Sequence, residues 1–376
     1  MSTFKEKAFS LKPQALSLKP QASSLLANRR GVALLMVLAV ITLLVPLVLE
    51  SGRRVFAWTM STQASVKHGQ LAWTAKAGVQ AAMAMLSEDR GKGEFDTIQE
   101  DWAREDKIAE LLGELGFAGE LSVAITDCLG KLQVNALVSQ PNGKSFVQDQ
   151  LDLWDRFLRP LVTAHENMPT NATMDILNAM KDWMDSQDDD AITGLNGAET
   201  YYYQDLSPPY RARNGLILDQ DELLLVKGIT PELYHGADPI PGIEPFITVH
   251  GMGAGAGGKM EYPGKINLST APFPVVRALL PPGSEDLAEN IVAFREEKSG
   301  EDFVNDITTA GWYKNAPGCS EVDIKADLVT TQSDTFRIEA SATEGDAKTT
   351  VTVWVQREKA AEGNDWTCRV LDWRTQ

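Results

Sequence analysis

The pattern of apolar and polar positions divides the chain into segments with different periods. Residues 31–49 are uncharged and mostly apolar, a length that suits a helix crossing a bilayer. From Val55 to Leu86 there is no proline, and apolar residues recur at roughly helical spacing. The pattern predicts one long helix from about Val32 to about Leu86, apolar on all sides in its first half and amphipathic in its second half.

The rest of the chain mixes helical and strand patterns. A helix is predicted near residues 105–115, and residues 120–137 alternate as a strand or a hairpin does. Residues 146–234 return to helical spacing, and a further helical unit begins at residue 264. Near the C-terminal end, three segments alternate and predict antiparallel strands: DTFRIEASATEG, KTTVTVWVQREK and WTCRVLDW. A helical block inserted into a helix-plus-sheet frame is the simplest account, so the predicted fold class is α+β.

Charge is distributed unevenly along the chain. The net charge is −17, yet the residues before Gly31 are basic, with Glu6 as their only acid. The remainder is therefore strongly acidic and is repelled by phosphate backbones, since Lys and Arg supply most nucleic-acid affinity. The basic flank also predicts a cytoplasmic N-terminus and a body on the other side of the membrane.

Cysteine usage excludes two common architectures. Three cysteines are too few for a disulfide scaffold, and they lack the CxxC spacing of zinc sites. Cys319 and Cys368 could form a disulfide if the C-terminal region lies in an oxidising compartment. Cys128 would then be the remaining thiol.

The segment ANRRGVALLMVLAVITLLVPLVLE, residues 27–50, allows three interpretations. A cleaved secretory signal needs a shorter apolar core and a small-x-small site, which this segment lacks. A plain membrane anchor explains the length. A type IV prepilin signal also explains why the apolar run starts directly after Gly31, and it predicts cleavage between Gly31 and Val32 with the helix retained. Met36 then occupies the fifth mature position, where pilin-like subunits usually carry Glu.

Carboxylates are concentrated between Asp182 and Asp205, where Lys and Arg are absent. Packed carboxylates repel one another unless they are solvated or share a cation, and Ca²⁺ accepts irregular oxygen ligation. The segment DSQDDDAITGLNGAE is not an EF-hand, because Gly and Glu do not fall at the required offsets. A solvated acidic loop and a calcium site both remain open on spacing alone.

Three segments together resemble a known family. They are RRGVALLMVLAVITLL, DWMDSQDDDAITGLNGAETYYYQDLSPPYRARNG and GKINLSTAP, and they are similar to the general secretion pathway protein K family of minor pseudopilins in type II secretion. The resemblance spans nearly all of the chain after Asn28. It implies a pilin-like frame, with a long N-terminal helix on a small antiparallel sheet and a large inserted α-helical domain.

The resemblance also implies the domain organisation. Residues 1–31 would be a basic prepilin leader, 32–90 the transmembrane and amphipathic helix, and 91–137 the first part of the frame. Residues 138–312 would be the inserted domain, and 313–376 the C-terminal strands.

The function implied by the family is structural. The protein would sit at the tip of the periplasmic pseudopilus, anchored in the bacterial inner membrane, and would initiate assembly with minor pseudopilins I and J and other pseudopilins. Prepilin peptidase would cleave and methylate it. The resemblance favours a structural Ca²⁺ in the inserted domain, with Asp185, Asp188, Asp190 and Glu199 as expected ligands and Asp189 and Asn196 as further candidates.

Two other functional classes are weighed against this one. GKINLSTAP also resembles the start of a helix-hairpin-helix unit, which gives the alternative of a membrane-tethered nucleic-acid binder; GKLQVNAL at 130–137 is a weaker echo of it. The acidic surroundings, such as Glu285 and Asp286, argue against nucleic acid. An enzyme is not expected, because the four histidines are scattered and neither HExxH nor GxSxG occurs.

Overall fold

The structure, a computed structural model, describes residues 29–117, 120–165, 168–169, 171–186, 192–254, 259–360, 363 and 365–376. The predicted leader therefore lies mostly outside the described residues. The chain divides into two compact units, Met1–Val66 and Lys67–Gln376.

Helices occupy the N-terminal part of the chain and its middle. They are α1 (Arg29–Lys92), α2 (Glu105–Glu114), α3 (Gln148–Ala164), α4 (Ala172–Met184), α5 (Thr200–Gln204), α6 (Pro231–His235), α7 (Phe273–Leu279) and α8 (Ala288–Glu296). The predicted long helix and the helix near residue 105 are thus confirmed, with α1 a few residues longer at each end.

In the described part of the chain, the long strands lie at the C-terminal end and in one earlier segment. The strands are β1 (Leu121–Asp127), β2 (Leu132–Gln133), β3 (Gly236–Ala237), β4 (Ile240–Pro241), β5 (Ile247–Thr248), β6 (Gly253–Ala254), β7 (Met260–Glu261), β8 (Ile266–Asn267), β9 (Lys298–Ser299), β10 (Asp302–Phe303), β11 (Val329–Thr330), β12 (Thr335–Glu344), β13 (Ala347–Lys359) and β14 (Trp366–Thr375).

Four strands form one antiparallel sheet in the order β1-β12-β13-β14. The three predicted C-terminal strands are therefore confirmed. The first strand pairs directly with β12, with Leu121 opposite Ala342 and Asp127 opposite Phe336. The chain leaves the sheet after β1 and returns only at β12, so the helical region lies between two adjacent strands.

Within the second unit, the C-terminal part of α1 packs on this sheet. Its buried residues recur every three or four positions, as one helix face requires: Leu71, Ala75, Val79, Ala82 and Leu86. A Cβ on Gly78 would lie 2.9 Å from Cγ2 of Val123, so glycine permits the close approach of α1 to β1. The opposite face of the helix is exposed, including Trp73.

Residues 120–137 do not form the hairpin that was one of the two structures predicted for them. The segment after β1 turns away from the sheet, and β2 pairs in parallel with β5, with Leu132 opposite Ile247. In the same way β8 pairs in parallel with β11, with Ile266 opposite Val329. We call residues 132–248 the first module and residues 266–330 the second module, because each begins and ends in one of these two-stranded pairs.

The two modules explain the echo between GKLQVNAL and GKINLSTAP, since each segment supplies the opening strand of a module. Their buried apolar side chains form one core that runs from Leu132 to Leu328, separate from the core between α1 and the sheet. Helices are the main regular elements of this region, and the short strand pairs within it were not predicted. The α+β class with a long N-terminal helix is confirmed, while the domain boundaries remain a prediction.

Candidate functional site

The N-terminal part of α1 has the composition of a membrane span. In the described part of the chain, α1 is the one helix that is long and apolar enough to cross a bilayer, with a mean hydropathy of 3.1 in its most apolar window. Its apolar side chains are exposed, Met36 among them, as lipid contact requires. The first polar contact after this stretch is the ion pair between Arg54 Nε and Glu50 Oε1 at 3.1 Å.

The predicted calcium ligands fall partly outside the described residues. Asp188, Asp189 and Asp190 lie outside the described residues, whereas Asp185 and Glu199, on either side of them in sequence, are both buried. Asp185 directly follows the last residue of α4, and its Oδ2 lies 3.3 Å from Nζ of Lys181.

Lys181 links the two sides of this acidic segment. Its ammonium group also donates to Oγ1 of Thr193 at 2.9 Å. Asn196, the remaining predicted ligand, donates from Nδ2 to both carboxylate oxygens of Asp175 at 3.1 Å. The structure therefore ties Asp185 to the loop that carries Asn196 and Glu199, with a lysine beside one of the carboxylates.

Asp182 holds this loop, a role that the sequence did not reveal. The carboxylate is buried and accepts the backbone N–H of Thr193 at 3.1 Å and of Ala198 at 2.8 Å. A Cβ on Gly197 would lie 2.1 Å from Oδ2 of Asp182, so the loop can close over Asp182 only with glycine there. Spacing alone cannot tell a carboxylate that caps a loop from one that binds a metal.

A second carboxylate group was missed altogether. In the described residues, oxygen atoms of Asp89, Asp96 and Glu100 lie within 4.8 Å of one another. Arg357 contacts both Asp96 and Asp89, the latter at 3.3 Å, and Arg90 lies 3.6 Å from Asp96. The two guanidinium groups supply the positive charge that a metal would supply, so this cluster is an ion-pair network joining the end of α1 to β13.

Burial changes the pKa of a carboxyl group in this network. Desolvation raises the pKa of Glu100 to about 7, with a further contribution from the Asp89 carboxylate. Glu100 Oε2 accepts the backbone N–H of Thr97 at 2.8 Å and the indole N–H of Trp102 at 3.0 Å. These two donors oppose the shift but do not cancel it.

The two cysteines proposed as a disulfide are free thiols in the structure, as is Cys128. Cys319 is buried in the core of the modules, whereas Cys368 packs against the core between α1 and the sheet. The pairing is therefore not formed, because the two side chains belong to different cores.

GKINLSTAP faces the protein interior. Asn267 and Thr270 donate to Oδ2 of Asp127 at 2.8 and 2.6 Å, and Ser269 is fully buried. These hydroxyl and amide groups are buried and already hydrogen-bonded within the protein, so they cannot contact a phosphate backbone. The motif is a structural joint between the second module and the sheet.

Comparisons with known proteins agree on one family. Residues 130–249 match the family model "Type II secretion system (T2SS), protein K", a stretch that coincides with the first module. Type II secretion system protein K of Klebsiella pneumoniae is 28% identical over 209 residues, covering 55% of this chain and 60% of the relative. The corresponding protein of Aeromonas hydrophila is 26% identical, covering 54% of this chain and 60% of the relative.

A solved structure shares the fold. A chain of the GspK-GspI-GspJ complex from the enterotoxigenic Escherichia coli type 2 secretion system matches with a TM-score of 0.58 and 15% identity, covering 84% of this chain and 99% of that chain. The sequence matches span about 60% of the length of the curated relatives. The resemblance that the sequence motifs carry is confirmed.

Proposed function

We propose that this chain, whose resemblance to type II secretion system protein K is confirmed, acts as a minor pseudopilin of such a system. The observation that carries the proposal is the chain path: one apolar helix leads into a small antiparallel sheet, and a two-module helical region leaves and re-enters that sheet between β1 and β12. We interpret the helix and the sheet as a pilin-like frame. Such a frame assembles by packing its N-terminal helices side by side.

The position at the tip of the pseudopilus follows from bulk and from Met36. The modules add about 200 residues between β1 and β12, which would obstruct a subunit stacked above. A Glu at the fifth mature position would be costly in lipid unless paired, and a subunit with nothing above it has no amine to pair it with. Met36 is compatible with that position.

The partners follow from the same proposal. A chain of the GspK-GspI-GspJ complex shares the fold, so we expect minor pseudopilins I and J to bind this chain and to initiate pseudopilus assembly with it. The body would lie in the periplasm, with the residues before Gly31 in the cytoplasm. Exported proteins would then cross the outer membrane through a machine that this subunit helps to start.

Maturation tests the proposal directly. The protein is purified from cells with and without prepilin peptidase, and its N-terminus is sequenced. A peptidase-dependent start at Val32, carrying an N-methyl group, is expected, and Gly31→Leu should abolish it while Gly52→Leu, placed after the span, should not. An intact leader in both strains, or a start near Ser51, would contradict the proposal.

We further propose that the acidic segment binds a structural Ca²⁺. Asp185 and Glu199 fit a calcium site in being buried carboxylates on either side of Asp188, Asp189 and Asp190 in sequence. Lys181 is the feature that opposes it, since its ammonium group already contacts Asp185. When bound, the ion would hold the loop ends together, and it has no chemical step to perform.

Calcium binding is tested on the full chain in detergent. Chelation should lower the melting temperature, and added Ca²⁺ should restore it. Asp188→Asn combined with Asp190→Asn should remove this response, whereas Asp323→Asn, an exposed position elsewhere, should keep it. If chelation leaves the melting temperature unchanged, the calcium proposal is wrong, whereas the pseudopilin proposal is unaffected.

A further inference from the structure

A cavity of about 440 Å³ lies between the first module and the sheet. The sheet contributes Arg337, Thr352 and Trp354, which alternate with the residues that face α1 and so belong to the opposite face of the sheet. Lys131 directly precedes the first module, and His250 lies two residues after its last strand; both side chains line the cavity. The cavity is therefore built from two separate parts of the fold.

The cations that line the cavity differ in their partners. Arg337 contacts the carboxylate of Glu339, and Arg374 contacts Asp219 at 3.1 Å. Lys131 has no carboxylate partner among the described residues. It is the one cationic side chain lining this cavity, in the described part of the chain, whose charge is left without an ion pair.

The two acidic side chains that line the cavity, Asp221 and Glu244, have their closest polar partners outside it. Asp221 accepts the hydroxyl of Tyr234 at 2.8 Å, and Glu244 lies 2.8 Å from Nδ1 of His235. Burial lowers the pKa of Lys131, and the nearby Asp127 and Glu244 carboxylates oppose this shift without cancelling it. An incoming anion would remove that penalty.

The remaining walls determine what kind of anion fits. Trp354 lies with its ring 5.4 Å from that of His250, and Ile247 and Val249 complete an apolar side. Burial lowers the pKa of His250, so this ring is neutral at pH 7. One free cation beside apolar walls suits a single carboxylate on an apolar stem, whereas a phosphate dianion would need more unpaired cations.

We propose that Lys131 and the Trp354 wall form a binding site for one carboxylate of a partner polypeptide. The carboxylate would pair with Nζ of Lys131, and the methylene stem of an acidic side chain would lie along the indole. The net charge of −17 repels acidic peptides in general, so binding of one would depend on the local positive charge of Lys131. The proposal does not depend on the role of the chain in secretion.

The test uses the full chain in detergent and three peptides. They are acetyl-Gly-Glu-Gly-amide, its Gln counterpart, and acetyl-Gly-Gly-Gly with a free C-terminus. Binding is measured by saturation-transfer NMR, and the site is located by carbodiimide coupling followed by mass spectrometry. We expect the Glu peptide to bind and couple at Lys131 and the Gln peptide to do neither; if the free C-terminus binds better, the carboxylate is a chain end.

Matched variants decide whether Lys131 carries the binding. Lys131→Met should weaken binding of the Glu peptide about tenfold, which corresponds to about 1.4 kcal/mol of binding free energy. The same substitution should raise the melting temperature of the peptide-free protein, because an unpaired cation is removed. Lys144→Met, at an exposed position within the first module, should change neither. Equal affinity for Glu and Gln peptides, equal coupling at Lys144, or a lowered melting temperature of Lys131→Met would each overturn the proposal.

Discussion

The side-chain amide of Asn267 lies 2.8 Å from Oδ2 of Asp127, and this contact joins the opening strand of the second module to the last residue of β1. Asp127 is fully surrounded by donors: it also accepts the backbone N–H of Leu129 at 2.7 Å and the hydroxyls of Thr270 and Ser333. A buried carboxylate is tolerated only when it is satisfied in this way. The contact therefore fixes how the modules meet the sheet.

Asn267→Ala should lower the free energy of unfolding by about 1–3 kcal/mol, because a buried carboxylate and the backbone oxygen of Asp96 each lose a donor. Urea unfolding of the full chain in detergent measures the change. Asn315→Ala, at an exposed position, should stay within about 0.5 kcal/mol of the parent chain. Equal effects of the two substitutions would mean that the joint contributes nothing to stability.

Glu100 should make a contribution to stability that falls as pH rises from about 4.5 to 7. Its pKa in the folded chain is raised to about 7 from an ordinary value of 4.5, so the folded state binds more protons than the unfolded state across this window. The favourable contribution is present below the unfolded pKa and is lost as pH rises through the folded one. Glu100→Gln should flatten the curve of melting temperature between pH 5 and 8, whereas the exposed Glu114→Gln should leave it unchanged. Parallel curves for Glu100→Gln and the parent chain would refute this assignment.

Gly78→Leu should destabilise the contact between α1 and β1. A Cβ at Gly78 already lies 2.9 Å from Val123 and 3.0 Å from Leu121, and overpacking of this kind costs about 1–3 kcal/mol. Gly69→Leu, on the same helix and with nothing within 4 Å of its Cβ, should be neutral or stabilising, since leucine favours helix over glycine. Thermal unfolding followed by circular dichroism compares the pair, and a larger loss at Gly69 would contradict the packing described.

Gly197→Ala should open the acidic segment. The new Cβ would lie 2.1 Å from Oδ2 of Asp182 and 2.6 Å from the backbone oxygen of Thr193, so at least one of the hydrogen bonds that hold the loop must break. Limited proteolysis should cut between Met184 and Thr200 faster than in the parent chain, with a matched control in Gly215→Ala, whose Cβ meets nothing within 4 Å. Unchanged cleavage would show that Asp182 does not hold the loop.

Periodicity predicted the elements whose partners follow one another along the chain. The long helix and the three C-terminal strands each repeat a local pattern over many residues, and β12, β13 and β14 pair in sequence order. The pairing of Leu132 with Ile247 was missed, because a two-residue strand has no measurable period and its partner lies more than a hundred residues away.

The site residues divide in the same way. The acidic composition near Asp185 was evident from sequence, but the roles of its members depend on which way each carboxylate points. Asp182 points into its own loop, and Asp89 and Asp96 meet Arg357 across the fold. No local signal connects Asp89 or Asp96 with Arg357, and residue spacing does not give the direction of the Asp182 side chain, so both arrangements required the structure.

Each module begins and ends in strands that are bonded side by side, which places its entry and exit points about 5 Å apart. A host chain therefore needs only a narrow gap between two neighbouring strands to accommodate such a segment. Because the two modules share one core, they are expected to be exchanged or deleted together, while the sheet beneath keeps its register. Variation in size among relatives is expected to occur in this region rather than in the sheet, and the region between β1 and β12 is the natural place to graft a reporter or a foreign binding domain.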